Sequence, residues 1–256
     1  MGATRRSEAT MDGVSPRPDK PGISRRPQDV ATRGESDRIP WIGFAFDYVD
    51  PGSYLAAELL LRRVSSGFGV RVDWYPLELR VPPARPLNPR DPAWHELFRG
   101  VARQADKEGI EMVEPATVPW TRKAHELAFL ARGHGRFGPV HRAIFAAHFR
   151  DARDIGRTDV LVALAAEHGL DPALTRTVLG TDTFSAAVSE SAERLRSWGV
   201  RGVPTLWTER ARLEGLQSVA SFDSFLTGVE AEAPRGNTFE SERNGRIREE
   251  DDSVPE

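Results

Sequence analysis

Apolar, aromatic and small residues run from Ile42 to Val49, broken only by Asp47, within the stretch WIGFAFDYVDPGSYLAAELLL (residues 41–61). The run is too short for a free-standing helix and is bounded by turn residues, which predicts a buried central strand. A helix start follows at once. The Asp50 carboxylate can accept the orphan N–H groups of a first turn as N-cap, and the fixed φ of Pro51 suits the first helical position. Leu55, Leu59 and Val64, with Ala56, Leu60 and Arg63 between them, give a stripe that lies back on the sheet.

The alternation in VRVDWYPLELRV, from residue 70, predicts a second, half-buried strand with Val70, Val72 and Trp74 on one face and Arg71, Asp73 and Tyr75 on the other. Pro76 assigns its far end to an edge or a bend. The proline-dense segment PPARPLNPRDP is a loop that ends in a second start signal, Asp91-Pro92, for a helix over about 93–108 closed by Gly109. Between Trp120 and Leu179 four segments carry apolar residues at three and four spacing, separated by glycines, and predict a helical subdomain. A further helix over about 182–197, strands at 203–207 and 212–214, and a helix over 221–228 complete the order β-α-β, helical insert, α-β-β-α. The fold class is α/β, with an all-helical insertion over about 93–180.

Composition bounds this core. Residues 1–39 are rich in Arg, Ser, Gly, Pro and Asp and nearly devoid of bulky apolar side chains, so they cannot bury enough surface to offset their ordering entropy and read as a disordered arm. Residues 231–256 read as a disordered tail, which leaves 40–230 as the domain. There is no apolar core of a secretory signal and no apolar run near the ~20 residues of a membrane span, so a soluble, cytoplasmic protein without membrane contact is expected. With 35 basic against 38 acidic residues, charge gives no ground for nucleic-acid binding. The absence of cysteine excludes disulfides, thiolate nucleophiles and cysteine-ligated metal centres.

The stretch FDYVDPGSYLA (residues 46–56) is similar to the first strand and active-site turn of the DsbA-like thioredoxin-fold superfamily. The pattern there is an aromatic-Asp-aromatic strand followed by Cys-Pro-x-Cys-Tyr-Leu. In the branch of kappa-class glutathione transferases and 2-hydroxychromene-2-carboxylate isomerases it becomes Ser-Pro-x-Ser-Tyr. Asp50 falls on the position of the reactive Cys or Ser, and Ser53 on the second. The helical block also resembles the family's insertion, especially in polyketide-associated oxidoreductases, through Lys123-Ala124-His125, the run from Ile144 to Phe149, Asp154-Ile155-Gly156 and the run from Glu167 to Asp171. Gly202-Val203-Pro204-Thr205 resembles the cis-proline loop, whose residue before proline pairs by its backbone with bound substrates. The resemblance thus implies a thioredoxin-like fold, a cis Val203-Pro204 bond beside the Asp50 turn, and by family an oxidoreductase.

The residues oppose that activity. Asp50 reads as a helix cap whose carboxylate the helix dipole holds at low pKa, a poor base near neutral pH. Ser53 needs a base in reach to act as a nucleophile. Tyr54, Trp74 and Trp207 are expected near the turn and the cis-proline loop, as core or as the wall of a ligand cleft. His134, His141 and His148 recur every seven residues; the last two are ~10 Å apart on one helix and read as packing or surface histidines, with no metal site. In relatives a Gly-x-Asp-Arg-like turn holds the γ-glutamyl end of glutathione. Gly215-Leu216-Gln217-Ser218 lacks both charges, so no cofactor is expected and glutathione is disfavoured. The expectation is a degenerate member that binds a small molecule or peptide between the Asp50 turn and Val203-Pro204, with Tyr54, Val203 and Pro204 as binding residues. The alternatives are a kappa-like, glutathione-dependent isomerase or transferase using serine, and a non-catalytic docking partner of redox proteins.

Overall fold

The computed structural model describes residues 40–215 and 218–232; the proposed arm, nearly all of the proposed tail, and Leu216 and Gln217 lie outside the described residues. The chain enters through β1 (Trp41–Phe46), whose inner residues are all buried, and turns into α1 (Pro51–Ser65). β1 ends at Phe46 rather than running on to Val49, because Asp47 opens the turn: its carbonyl accepts the Asp50 N–H at 3.1 Å. The chain returns through β2 (Arg71–Pro76), parallel to β1. The insert comprises α2 (Pro92–Lys107), α3 (Arg122–Gly133), α4 (Phe137–Phe149), α5 (Thr158–Glu167) and α6 (Pro172–Gly180). α7 (Ser185–Ser197) leads back to β3 (Thr205–Trp207), β4 (Arg212–Glu214) and α8 (Val219–Glu232). The expected helix starts at 182 and 221 therefore fall at 185 and 219.

The four strands form a mixed sheet in the order β2-β1-β3-β4, with β3 antiparallel to both neighbours. This is the expected thioredoxin-like α/β arrangement with its helical insertion. β2 is the edge strand that its terminal proline suggested. Arg71 N–H donates to Pro40 O and Leu77 N–H to Phe46 O, both at 2.9 Å, so odd-numbered residues of β2 turn their backbone groups toward β1. Even-numbered residues turn theirs outward.

Alternation splits the core. Ile42, Phe44 and Phe46 face the large cluster shared by α1, α8 and the insert, whereas Ala45, Tyr75 and Trp207 face a smaller cluster under α7 with Leu195 and Val200. Gly43 lies opposite Trp207 in the β1–β3 register, and a Cβ there would collide with the indole, so only glycine fits. Phe145 and Phe149 of α4 join the aromatic residues of β1 and the turn, so that the insert and the sheet share one core, each large side chain contributing ~2 kcal/mol. Polar ties fix the insert to α7. Arg122 holds Glu78 at 2.5 Å and the Ser185 and Ser189 hydroxyls at 2.7 and 3.1 Å, while Glu126 accepts the Phe184 N–H at 3.0 Å. No described helix is long and apolar enough to cross a membrane.

Candidate functional site

The turn ahead of α1 is built as its sequence dictates. Asp50 is extended (φ −90°, ψ 117°) and caps the helix, its Oδ2 accepting the Ser53 N–H at 2.6 Å. The same oxygen accepts the Ser53 hydroxyl at 2.7 Å, so a base does stand in reach of Ser53. Ser53 Oγ in turn accepts a long bond from Asp47 N–H at 3.4 Å. Gly52 lets the cis-proline loop approach: a Cβ there would stand 3.0 Å from Pro204 Cδ and 3.3 Å from Asp50 Oδ2. The Val203-Pro204 bond is cis, as expected, and the turn and the loop are in contact.

Burial changes the electrostatics expected from the helix dipole. Asp50 is 6% exposed and Ser53 not at all. Desolvation, reinforced by Asp47, outweighs the two bonds from Ser53 and pushes the Asp50 carboxyl up to about 7, where the sequence reading had it lowered. The reason is geometric: a dipole at a solvated helix end favours the anion, but here α1 begins beneath the cis-proline ring. The Asp50 carboxyl therefore changes charge near neutrality, while a fully covered Ser53 Oγ offers no approach to an electrophile.

A second polar layer lies beneath the turn. Asp47, fully buried, accepts the Leu79 N–H at 2.7 Å through one oxygen and meets His125 Nε2 at 3.1 Å through the other. Tyr48 Oη and His141 Nδ1 are 2.8 Å apart. Burial raises the Tyr48 phenol well above its ordinary value and holds His141 well below its own, so the phenol donates to a neutral imidazole. His148, also buried, is pushed down to about 4 by desolvation. His125 Nδ1, His141 Nε2 and both His148 nitrogens find no hydrogen-bond partner among the described residues. The expectation of packing histidines holds for His141 and His148, in full burial; His134 caps the exposed end of α3. Asp47 and His125 escaped the sequence reading as a pair. The only available signal was a charged residue in an otherwise apolar strand.

The aromatic residues expected at the turn are dispersed. Tyr54 stacks on Phe149 with centroids 5.3 Å apart, and its hydroxyl donates to Glu111 O at 3.4 Å. Trp74 packs 4.4 Å from His141, and Trp207 lies on the opposite face of the sheet against Tyr75 and Trp198. A shared wall at the cis-proline loop is thus ruled out, since Trp74 and Trp207 obey opposite phases of strand alternation. Among the described residues no group of three or more His, Asp or Glu could hold a metal. The turn at Gly215 is left-handed (φ 70°), and its residues Leu216 and Gln217 lie outside the described chain.

Residues 42–227 match the family of DSBA-like thioredoxin domains. An uncharacterized protein of Bacillus subtilis, YwbO, is 31% identical over 142 residues, 54% of this chain and 70% of that protein. Among solved structures, a probable DsbA oxidoreductase of Streptomyces coelicolor superposes with TM-score 0.64 at 21% identity, over 81% of this chain and 97% of its own. A 2-hydroxychromene-2-carboxylate isomerase superposes with TM-score 0.64 at 17% identity, over 74% of this chain and 95% of its own.

Proposed function

Because the chain belongs to the DSBA-like thioredoxin domain family and contains no cysteine, we propose that it has lost thiol–disulfide exchange and kept recognition, holding a small molecule or peptide against the cis-proline loop. The observation that carries this reading is the Val203 peptide group. No backbone hydrogen bond among the described residues reaches it, although the next residues, Pro204 and Thr205, are already tied to Gly215 and Ala45. A backbone group left unpaired beside a buried, satisfied turn suits an extended ligand that supplies the missing partner. Asp50 and Ser53 then serve as a floor that changes charge near neutral pH.

The hydrogen bond from Ser53 to Asp50 favours a second reading, a serine-dependent isomerase or transferase of the kappa-like kind. The complete burial of Ser53 weighs against it.

The test combines turnover with a titration. Insulin reduction by the purified protein with dithiothreitol should equal that of dithiothreitol alone. Amide resonances of Gly52, Gly202 and Val203 should shift when alkylated insulin B chain is added, and should stay in place with glutathione. Disulfide turnover would contradict the reading, and so would amides at the loop that no peptide moves. Saturable shifts with glutathione would favour the serine-dependent alternative.

A further inference from the structure

A groove of about 430 Å³ runs along the outer edge of β2, away from the cis-proline loop. Trp74, Tyr75, Phe129 and Phe137 wall it, with Arg132 from α3 and Ser191 from α7 at its sides. Its volume is that of a ligand pocket, about 300–1,000 Å³. Its floor is backbone.

The outward-facing groups of that floor are those of Val72, Trp74 and Pro76. Arg132 Nη2 donates to Trp74 O at 3.3 Å, and Ser191 Oγ to Pro76 O at 3.1 Å. Pro76 has no N–H. Among the described residues no hydrogen bond reaches the outward N–H and C=O of Val72 or the N–H of Trp74. The edge is therefore open over one step of a parallel ladder, from Val72 C=O to Trp74 N–H, and closed beyond it.

Where the ladder closes stands the cation of Arg132, which shares the groove with an Asp73 carboxylate that is itself paired with Arg71 at 3.2 Å. The Arg132 guanidinium lies 4.6 Å over the Phe137 ring, and no carboxylate among the described residues is within ion-pair distance of it. Its fork suits the two oxygens of one carboxylate. Beside it lies a small chamber of about 10 Å³, room for roughly one water, which shares Pro76, Phe129, Arg132 and Phe137 with the lining of the groove. His125, fully buried, lines that chamber, and its Nδ1 has no partner.

We propose that this groove binds the carboxy-terminal end of a partner polypeptide, which adds to β2 in parallel and places its terminal carboxylate on Arg132. One residue of the added strand donates its N–H to Val72 O and accepts from Trp74 N–H, and the residue two places before it accepts from Val72 N–H. The chain then arrives where Pro76 offers no donor, and ends there on the guanidinium. The aromatic walls take its apolar side chains. This site is separate from the turn and the cis-proline loop, and its test leaves that reading untouched.

Affinity selection of a random hexapeptide pool by the immobilised full chain tests the proposal, with the pool supplied as free acids and as carboxamides. Free acids should be enriched at least tenfold over amides. Arg132→Gln should abolish the preference. Val72→Pro, which removes an outward N–H and no bond to β1, should reduce retention several-fold, as expected for proline on an edge strand. Equal retention of acids and amides, or none of either in the wild type, would overturn the proposal. Retention unchanged in Val72→Pro and fully competed by phenylacetate would mark a site for small acids, and would sink strand addition.

Discussion

The turn at residues 50–53 and the histidine layer beneath it are both sealed from water, yet burial acts on them in opposite directions. In the turn it favours a proton on Asp50, and in the layer it strips protons from His141 and His148. The difference follows from charge type, since desolvation penalises whichever form is charged. It also separates two kinds of economy. The turn satisfies its polar atoms with one another, whereas the layer leaves four imidazole nitrogens without a partner. A frame that elsewhere carries a thiolate is thus filled here with a carboxyl that is easily kept neutral, over the imidazoles of His141 and His148, which burial keeps neutral as well.

The largest expected effect comes from breaking the link between the two. Asp47→Ala leaves the Leu79 N–H and His125 Nε2 buried without partners, and should lower unfolding free energy by about 4 kcal/mol in urea denaturation.

Next in size is the pH dependence of the turn. The folded carboxyl of Asp50 titrates at about 7 and the unfolded one at 3.8, so its contribution to stability is complete below pH 3.8 and is lost as pH rises to 7. Asp50→Asn keeps an acceptor for Ser53 and cannot ionise. It should match the wild type near pH 4 and exceed it at pH 8 by on the order of 3 kcal/mol. The histidines run the other way: His148 titrates at about 4 folded and 6.5 unfolded, so its contribution is complete above pH 6.5 and lost as pH falls toward 4, with His141 acting in the same sense. Between pH 4 and 6.5 the carboxyl and the histidines therefore act against each other, and above pH 6.5 only the loss from Asp50 remains of these three.

His148→Leu replaces two unpartnered nitrogens with hydrocarbon of similar size. It should raise stability at pH 7 by about 1 kcal/mol and flatten the acid limb of the same profile. Ser53→Ala has the smallest effect, a loss of about 1 kcal/mol for the hydroxyl bond to Asp50 and the long one from Asp47 N–H, with the Asp50 cap intact.

Much of the frame could be read from residue order because its causes are local. Asp50-Pro51, Asp91-Pro92 and Asp171-Pro172 each begin a helix capped by the aspartate side chain, and in the first two the Asp-Pro pair alone predicts the start. The alternation of β2 placed Trp74 and Tyr75 on opposite faces, as found. What escaped depends on distance along the chain. Asp47 and His125 are 78 residues apart, and nothing near either one announces the other. The raised carboxyl of Asp50 depends on the cis-proline loop and the turn closing over it, so a local argument from the helix dipole gave the wrong sign.

The central claim is that the family's turn geometry survives without its chemistry, and Asp50→Cys with Ser53→Cys tests it most directly. The pair would stand at the capping position and one turn later, under the same cover that raises the Asp50 carboxyl. The account predicts a disulfide that forms under mild oxidant, because the turn holds the two positions together, and a reduced first thiol titrating above the ~8.5 of free cysteine, by thiolate absorbance against pH, because burial outweighs the dipole here. Failure of the disulfide to form under mild oxidant would contradict it.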